Sequence, residues 1–467
     1  MSPQELLPEA LRQLDVFHAC DIDSSCRQWL KCHSPCTRPR HVFADLLGRY
    51  STLTQARLQE AVNTARAQLE PRQAQGSQMD ELGVELLDHL LAILDESTMV
   101  GGAHERDFCE VHHTACPVWD LRPRPGGLVL NCSGSTCWDF SSLGKARRTF
   151  GPTIVPFACW LHERKRMAAR GEDGFVHECT RLHPSMQLLG RAFTADTHVM
   201  WSFVLSPRDL GVPYSRPRRF CICMGKWRVP LPSPWPALVP ARDPGPELLL
   251  LFGCSPLLRG MDLFLAEPHE VEQYRKDRCR LARRHPSTPF RHLLSSSVQQ
   301  RLQQYEDLAS PEERDTLIVS LQQKPQFFGK GTKHMPCLTT KSVQWSHKLQ
   351  RWTLPLEALA ASGWPPRRFA SISSFASPVD LEGRAGVAFS EKHVIKKAGN
   401  GIHLQVGGVV LLWVMSTFAA PLAQPPSTVD AADTPRPGKL RAALEAAKQR
   451  SGPATLEGLL HMFLTRC

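Results

Sequence analysis

The sequence predicts an α/β fold, a sheet whose strands alternate with helices. Three observations carry that expectation. Short apolar runs rich in β-branched and aromatic residues recur along the chain. Stretches with helical spacing lie between them, and strand–helix alternation is the pattern of a sheet with covered faces. Several runs end in an acid or a short polar loop, where open α/β sheets hold their ligands.

The elements follow in order. Val16-Phe17-His18-Ala19-Cys20 reads as a strand ending in Asp21-Ile22-Asp23, and His41-Val42-Phe43-Ala44-Asp45 as a second strand ending in an acid. Residues 52–100 read as an inserted helical hairpin. Leu53, Ala56, Leu58 and Ala61, then Leu82, Leu86, Leu87, Leu90 and Leu91, fall at helical spacing, separated by a stretch at 71–79 rich in Gln, Gly and Ser. Leu128-Val129-Leu130-Asn131-Cys132 is a strand feeding the segment around Cys137, and Pro156–Leu161 starts a helix that runs into Arg164-Lys165-Arg166. Phe175-Val176-His177, Val199–Leu205 and Phe220–Cys223 complete the strands. From 226 to 340 the composition shifts: Pro230, Pro232, Pro234 and Pro236 alternate with basic clusters such as Arg278, Arg280, Arg283 and Arg284.

The chain has 467 residues, enough for two or three domains. With 42% hydrophobic and 22% charged residues it is composed as a globular protein. The net charge of +11 and pI near 9.0 suit a polyanionic partner, although many soluble proteins are modestly basic. The start, Met1-Ser2-Pro3-Gln4-Glu5, has no basic and apolar leader, so the 16 cysteines read as buried thiols of a reducing, intracellular compartment rather than a disulfide framework. The run Val409–Met415 is too short to span a membrane.

Three chemical groups stand at strand ends in order: Cys137 in Gly134-Ser135-Thr136-Cys137-Trp138, Glu178 after Phe175-Val176-His177, and Arg216-Pro217-Arg218. A thiolate, a carboxyl group and paired arginines meet the needs of methyl transfer to carbon 5 of cytosine. The thiolate adds to C6 and makes C5 nucleophilic, the acid takes up charge at N3, and arginines hold the base.

At these residues the chain resembles the cytosine-5 DNA methyltransferases. That family carries a Pro-Cys-Gln loop, a Glu-Asn-Val strand end and a Gln-x-Arg-x-Arg segment in this order. Here they read Thr136-Cys137-Trp138, Glu178-Cys179-Thr180 and Tyr214-Ser215-Arg216-Pro217-Arg218. Arg351-Trp352-Thr353-Leu354-Pro355-Leu356-Glu357 with Gly363-Trp364-Pro365 is similar to the ninth family motif, and Gly399-Asn400-Gly401 to the tenth. The resemblance covers most of residues 16–418, with long insertions. Thr136 for Pro, Trp138 for Gln and Tyr214 for Gln are departures.

The resemblance implies a Rossmann-like, S-adenosylmethionine-dependent methyltransferase sheet with a smaller target-recognition domain. Residues 1–225 would form the catalytic core with its 52–100 insertion, 226–340 the target-recognition region, 341–418 the rest of the core, and 419–467 a linker and terminal helix. Cys137 would be the nucleophile, Glu178 the N3 acid, and Arg216 and Arg218 the base-positioning groups. Asp21, Asp45 and Asn400 would line the pocket of S-adenosyl-L-methionine. The implied partner is duplex DNA with its target cytosine flipped out, and the implied compartment is the nucleus. The family's Phe-x-Gly-x-Gly loop is not found upstream of Leu11-Arg12-Gln13-Leu14, so weak donor binding is expected. Two other functions remain open: a methyltransferase-like module that binds nucleic acid without turnover, which a donor titration separates, and an RNA-directed enzyme of the same family, which matched DNA and RNA assays separate.

Cys109-x2-His112-His113-x2-Cys116 has metal-ligand spacing, as does Cys32-x3-Cys36 with His33. Zinc takes four such ligands and the first run offers three. The expectation is an ordinary loop with no metal.

Overall fold

Strands β1 (His18–Cys20) and β2 (His41–Phe43) pair in parallel, with His18 opposite His41 and Cys20 opposite Phe43. Parallel neighbours need a crossover, and helix α1 (Ser24–Lys31) lies in it. Asp23 caps that helix: its Oδ1 accepts from the Ser25 amide at 2.8 Å and the Ser25 hydroxyl at 2.6 Å. The computed structural model describes residues 15–31, 38–69, 77–119, 127–135, 139–140, 147–228, 244–253, 260–328, 334–340, 343–364 and 391–418.

The expected helical hairpin forms α2 (Thr52–Leu69) and α3 (Ser77–Met99). Leu53 and Ala56 at the start of its apolar stripe are exposed, and the rest of the stripe turns inward. Leu58, Val62, Leu87, Leu90 and Leu94 are fully buried and share one core with Phe157, Ala158 and Leu161 of α4 (Ile154–Ala168). Burying an aliphatic side chain stabilises by about 1.5–3 kcal/mol, so the insertion is an integral wall of the core.

Between hairpin and core the chain makes a feature that the sequence did not announce. β3 (Arg106–Cys109) and β4 (Thr114–Pro117) pair antiparallel, and the turn passes through His113 in the left-handed region at φ 54°. The strands have only four residues each, and β3 opens on the exposed, charged Arg106, so no apolar alternation marks them.

β5 (Leu130–Gly134), β6 (Gly174–Cys179), β7 (His198–Leu205) and β8 (Arg218–Gly225) form a four-stranded sheet in the order β5-β6-β8-β7. β5 and β6 are parallel, while β8 runs antiparallel to both of its neighbours. All six residues of β6 are buried. A short helix, α5 (Ser185–Leu189), connects β6 to β7. The fold is thus α/β, with one difference from expectation. Among the described residues the sheet comes as two pieces, β1–β2 and β5-β6-β8-β7, rather than one.

Further along are α6 (Gly245–Phe252), α7 (Pro268–Leu281), α8 (Ser296–Leu308), α9 (Pro311–Arg314), β9 (Ile318–Ser320), α10 (Pro325–Phe328), β10 (Gln344–Ser346), β11 (Arg351–Trp352), α11 (Pro355–Ala361), α12 (Glu391–Asn400) and α13 (Leu404–Phe418). β11-β10-β9 is an antiparallel sheet whose core holds Phe290, Leu302, Tyr305, Trp345 and Trp352. The Arg351–Glu357 stretch closes on itself. Both guanidinium nitrogens of Arg351 donate to the Glu357 carboxylate at 2.8 Å, and that carboxylate also accepts from the Leu354 amide at 2.8 Å, which caps α11.

Contacts divide the chain into two units. Among the described residues, the first takes in those up to Leu205, Pro217–Leu250 and Val409–Phe418, and the second Ser206–Arg216 and Leu251–Gly408. The division differs from the 225/226 and 340/341 boundaries read from composition. No single helix among the described residues is long and apolar enough to cross a membrane, although the bent pair Val394–Asn400 and Leu404–Met415 would be by length and composition together.

Candidate active site

Parallel pairing sets the first part of the site. Gly134 at the end of β5 lies opposite Glu178 in β6, so the two strands deliver their carboxyl ends side by side. The Ser135 amide then donates to the Glu178 carbonyl at 3.1 Å, and the Ser135 hydroxyl lies 2.6 Å from His177 Nε2. His177 is wholly buried and stacked on Trp160, with ring centroids 5.1 Å apart. Burial pushes its pKa down to about 3, so it is neutral at physiological pH and serves as a hydrogen-bonding strut rather than a proton carrier.

The other side of the same segment is anchored at Asp139. This buried carboxylate accepts from the Thr153 amide at 3.1 Å and the Thr153 hydroxyl at 2.7 Å, and its carbonyl accepts from the Arg148 amide at 2.9 Å. Gly151 is required for that approach, since a Cβ there would lie 1.9 Å from Asp139 Cγ. Thr136, Cys137 and Trp138, between the two anchors, lie outside the described residues.

Antiparallel pairing brings in the next group. β8 begins beside the end of β6, with Phe220 opposite Glu178 and Arg219 opposite Cys179. Arg218 at its start places Nε 3.0 Å from Glu178 Oε1, with the two side chains 15% and 7% exposed. Glu178 and Arg218 are therefore one ion pair at the strand ends that flank Ser135.

Arg216 is engaged elsewhere. Within the second unit its Nη1 donates to the carbonyls of Leu338 at 3.1 Å and Gly399 at 3.0 Å, and its Nη2 to the carbonyl of Gly401 at 2.9 Å. This 3%-exposed guanidinium ties together backbone segments. Tyr214 does related work: it is fully buried, its hydroxyl accepts from the Leu338 amide at 3.1 Å, and its ring stacks on His403. Burial pushes its phenol up to about 12.

Asp21 and Asp45 follow the ends of β1 and β2. Both are half-buried, and each uses Oδ1 to accept from the backbone two residues on, Asp23 at 2.8 Å and Leu47 at 3.0 Å. Burial raises the Asp21 pKa. Two carboxylates at adjacent parallel strand ends fit the hydroxyl and amino side of a nucleoside, with the second oxygens as candidate acceptors. Asn400, the last residue of α12, is exposed in the second unit.

Sequence reasoning missed Ser135, His177, Asp139, Thr153 and Gly151. Only the flanking position of Ser135 and Asp139 around Cys137 signalled them.

No family model and no curated protein matches the chain. Solved structures do. The Dnmt2 methyltransferase of S. pombe is 12% identical over 62% of this chain and 77% of its own, with a TM-score of 0.37. The Entamoeba histolytica methyltransferase EhMeth is 11% identical over 86% and 99%, with a TM-score of 0.33. A putative DNA modification methyltransferase encoded within an E. coli prophage is 12% identical over 89% and 96%, with a TM-score of 0.39. These are methyltransferases, as are the proteins whose motifs the sequence resembles.

Proposed function

We propose that the chain is a cytosine-5 methyltransferase acting on a flipped-out cytosine of duplex DNA, with S-adenosylmethionine as donor. One observation carries the reading. The segment leading into Cys137 and Glu178 emerge at the carboxyl ends of adjacent parallel strands, joined by the Ser135–Glu178 backbone bond, and Arg218 at the start of antiparallel β8 pairs with Glu178.

In this reading Cys137 adds as thiolate to C6 of the cytosine. The C5–C6 electron pair becomes available at C5, while the Glu178 carboxyl group protonates or hydrogen-bonds N3. Arg218 holds that carboxyl group in place. S-adenosylmethionine, when bound, supplies an electrophilic methyl group, and Asp21 and Asp45 are the residues that would hold its nucleoside part. C5 then loses its proton to a base, and the C6–S bond breaks to release Cys137 and restore the ring. Arg216, committed to three carbonyls, acts as a positioning residue within the second unit.

That commitment of Arg216 also favours the second reading, a methyltransferase-like nucleic-acid-binding module without turnover. Trapping with 5-fluorocytosine DNA and donor separates the two, because fluorine at C5 blocks the elimination. A covalent adduct that maps to Cys137 and disappears in Cys137→Ala is expected. An adduct on another cysteine, or none with donor demonstrably bound, would overturn the enzyme reading.

A further inference from the structure

We propose that His41, Cys109, His112 and Cys116 form a closed, structural zinc site, independent of the methyl-transfer reading. The expectation of an ordinary loop rested on a count of three ligands. The fold supplies the fourth from far upstream: His41, the first residue of β2, comes to the β3–β4 hairpin, and one ligand atom from each of the four residues lies within 4.8 Å of the others. Two thiols and two imidazoles are the Cys2His2 donor set of structural zinc.

The distances fit a common ion. With Zn–S of about 2.3 Å and Zn–N of about 2.0–2.1 Å, tetrahedral geometry requires N···S edges of about 3.6 Å. His112 Nδ1 lies 3.5 Å from Cys109 Sγ and 3.5 Å from Cys116 Sγ. A single ring nitrogen equidistant from two thiols has one lone pair to offer, and a cation between the three satisfies that geometry where one S–H···N bond would not. The His41 and His112 rings close the other side, with centroids 4.8 Å apart.

The backbone prepares this arrangement. Cys109 ends β3 and Cys116 lies in β4, both buried. The turn between them doubles back through His113, whose amide donates to the Cys109 carbonyl at 2.8 Å in the left-handed conformation. That turn brings His112, not His113, toward the thiols, which settles a choice the sequence left open. Four protein ligands leave no position for substrate, so the role is to clamp. The clamped pieces already touch: the Glu110 amide donates to the Val42 carbonyl at 2.9 Å, and the Glu110 carboxylate accepts from Arg27 at 2.5 Å and Lys31 at 2.8 Å on α1. A zinc ion here would fasten the hairpin to the start of β2, the strand whose other end leads to Asp45.

The test is metal content of the full chain, expressed with zinc and measured by plasma mass spectrometry and native mass spectrometry. About one zinc per chain is expected. Cys109→Ser, Cys116→Ser and His41→Ala should each fall to below about a tenth of an equivalent, while His113→Asn keeps the metal. Cys116→His, which retains a ligand, should keep zinc and so separates lost ligation from lost folding. Cobalt substitution gives a second readout, a thiolate charge-transfer band that weakens in Cys116→His. Zinc-free protein after equilibration with the ion, a Cys109–Cys116 disulfide in freshly reduced protein, or His113→Asn losing metal as fully as His112→Asn would each overturn the proposal.

Discussion

Replacing Arg218 by methionine removes a positive charge 3.0 Å from a carboxylate that is 7% exposed, while keeping most of the apolar stem. At an effective dielectric near 20, two unit charges at this distance attract by about 5–6 kcal/mol. Removing one member of a buried pair typically costs about 3–5 kcal/mol, because the remaining charge stays out of water. Arg218→Met should therefore lose about 3–5 kcal/mol at pH 7, a large part of an ordinary domain's stability. Denaturant titration of wild type, Arg218→Met, Glu178→Gln and the double variant gives the coupling. The double variant should recover at least half of the loss. A loss under about 1 kcal/mol at pH 7, or an equal loss in the Glu178→Gln background, would refute the claim that this pair is the electrostatic centre of the strand ends.

His177 sets an acid limb of stability. Its folded pKa of about 3 lies below the ordinary 6.5, so the unfolded chain binds more protons between those values and stability is lost as pH falls through that window. His177→Gln should reduce the loss between pH 7 and pH 5 by about 2 kcal/mol, and an unchanged acid slope in denaturant titrations would count against it. Gly151→Ala forces a Cβ into the Asp139 carboxylate and should cost about 1–3 kcal/mol and lower the rate of adduct trapping together; wild-type melting with normal trapping would show that the anchor is dispensable. Arg280, Arg283 and Arg284 are all exposed, and their joint replacement by alanine should flatten the salt dependence of DNA affinity by up to about 0.9 in log–log slope for each phosphate left without its arginine. An unchanged slope by fluorescence anisotropy would remove this cluster from the DNA interface.

The apolar runs gave away the strands: β6, buried at every position, carries the apolar pair Phe175-Val176 near its start, although His177 and Glu178 follow. The helical insertion was legible for the same reason, through leucines at helical spacing. The β3–β4 hairpin was hidden, since it depends on a left-handed His113 and on contacts with β2 rather than on a pattern of its own. His41 as a possible metal ligand was invisible, because nothing local links it to Cys109. The two arginines are more instructive. Residues two apart on a strand share a face, so Arg216-Pro217-Arg218 reads as two groups aimed at one target. The ladder begins only at Arg218, opposite Leu205, and the alternation does not reach back across Pro217. Arg218 meets Glu178, whereas Arg216 is drawn into a set of carbonyls that no periodicity encodes.

The anchors around Cys137 recast the departures from the family's loop. The family stiffens this loop with a proline before the cysteine, and here that position is Thr136. What restrains the segment instead stands outside it: Ser135 is fixed by Glu178 and His177, and Asp139 by Thr153 and Arg148. The two anchors are unequal. The Ser135 hydroxyl makes one neutral hydrogen bond, worth about 1 kcal/mol, while Asp139 brings a charged acceptor with two bonds. Ser135→Ala should therefore slow adduct trapping modestly with little change in melting, and Asp139→Ala should damage both. If Thr136→Pro rescued trapping in Ser135→Ala but not in Asp139→Ala, stiffness before the cysteine would be the quantity that the Ser135–His177 strut supplies. Absence of that rescue would instead assign Ser135 to the register of β5 on β6.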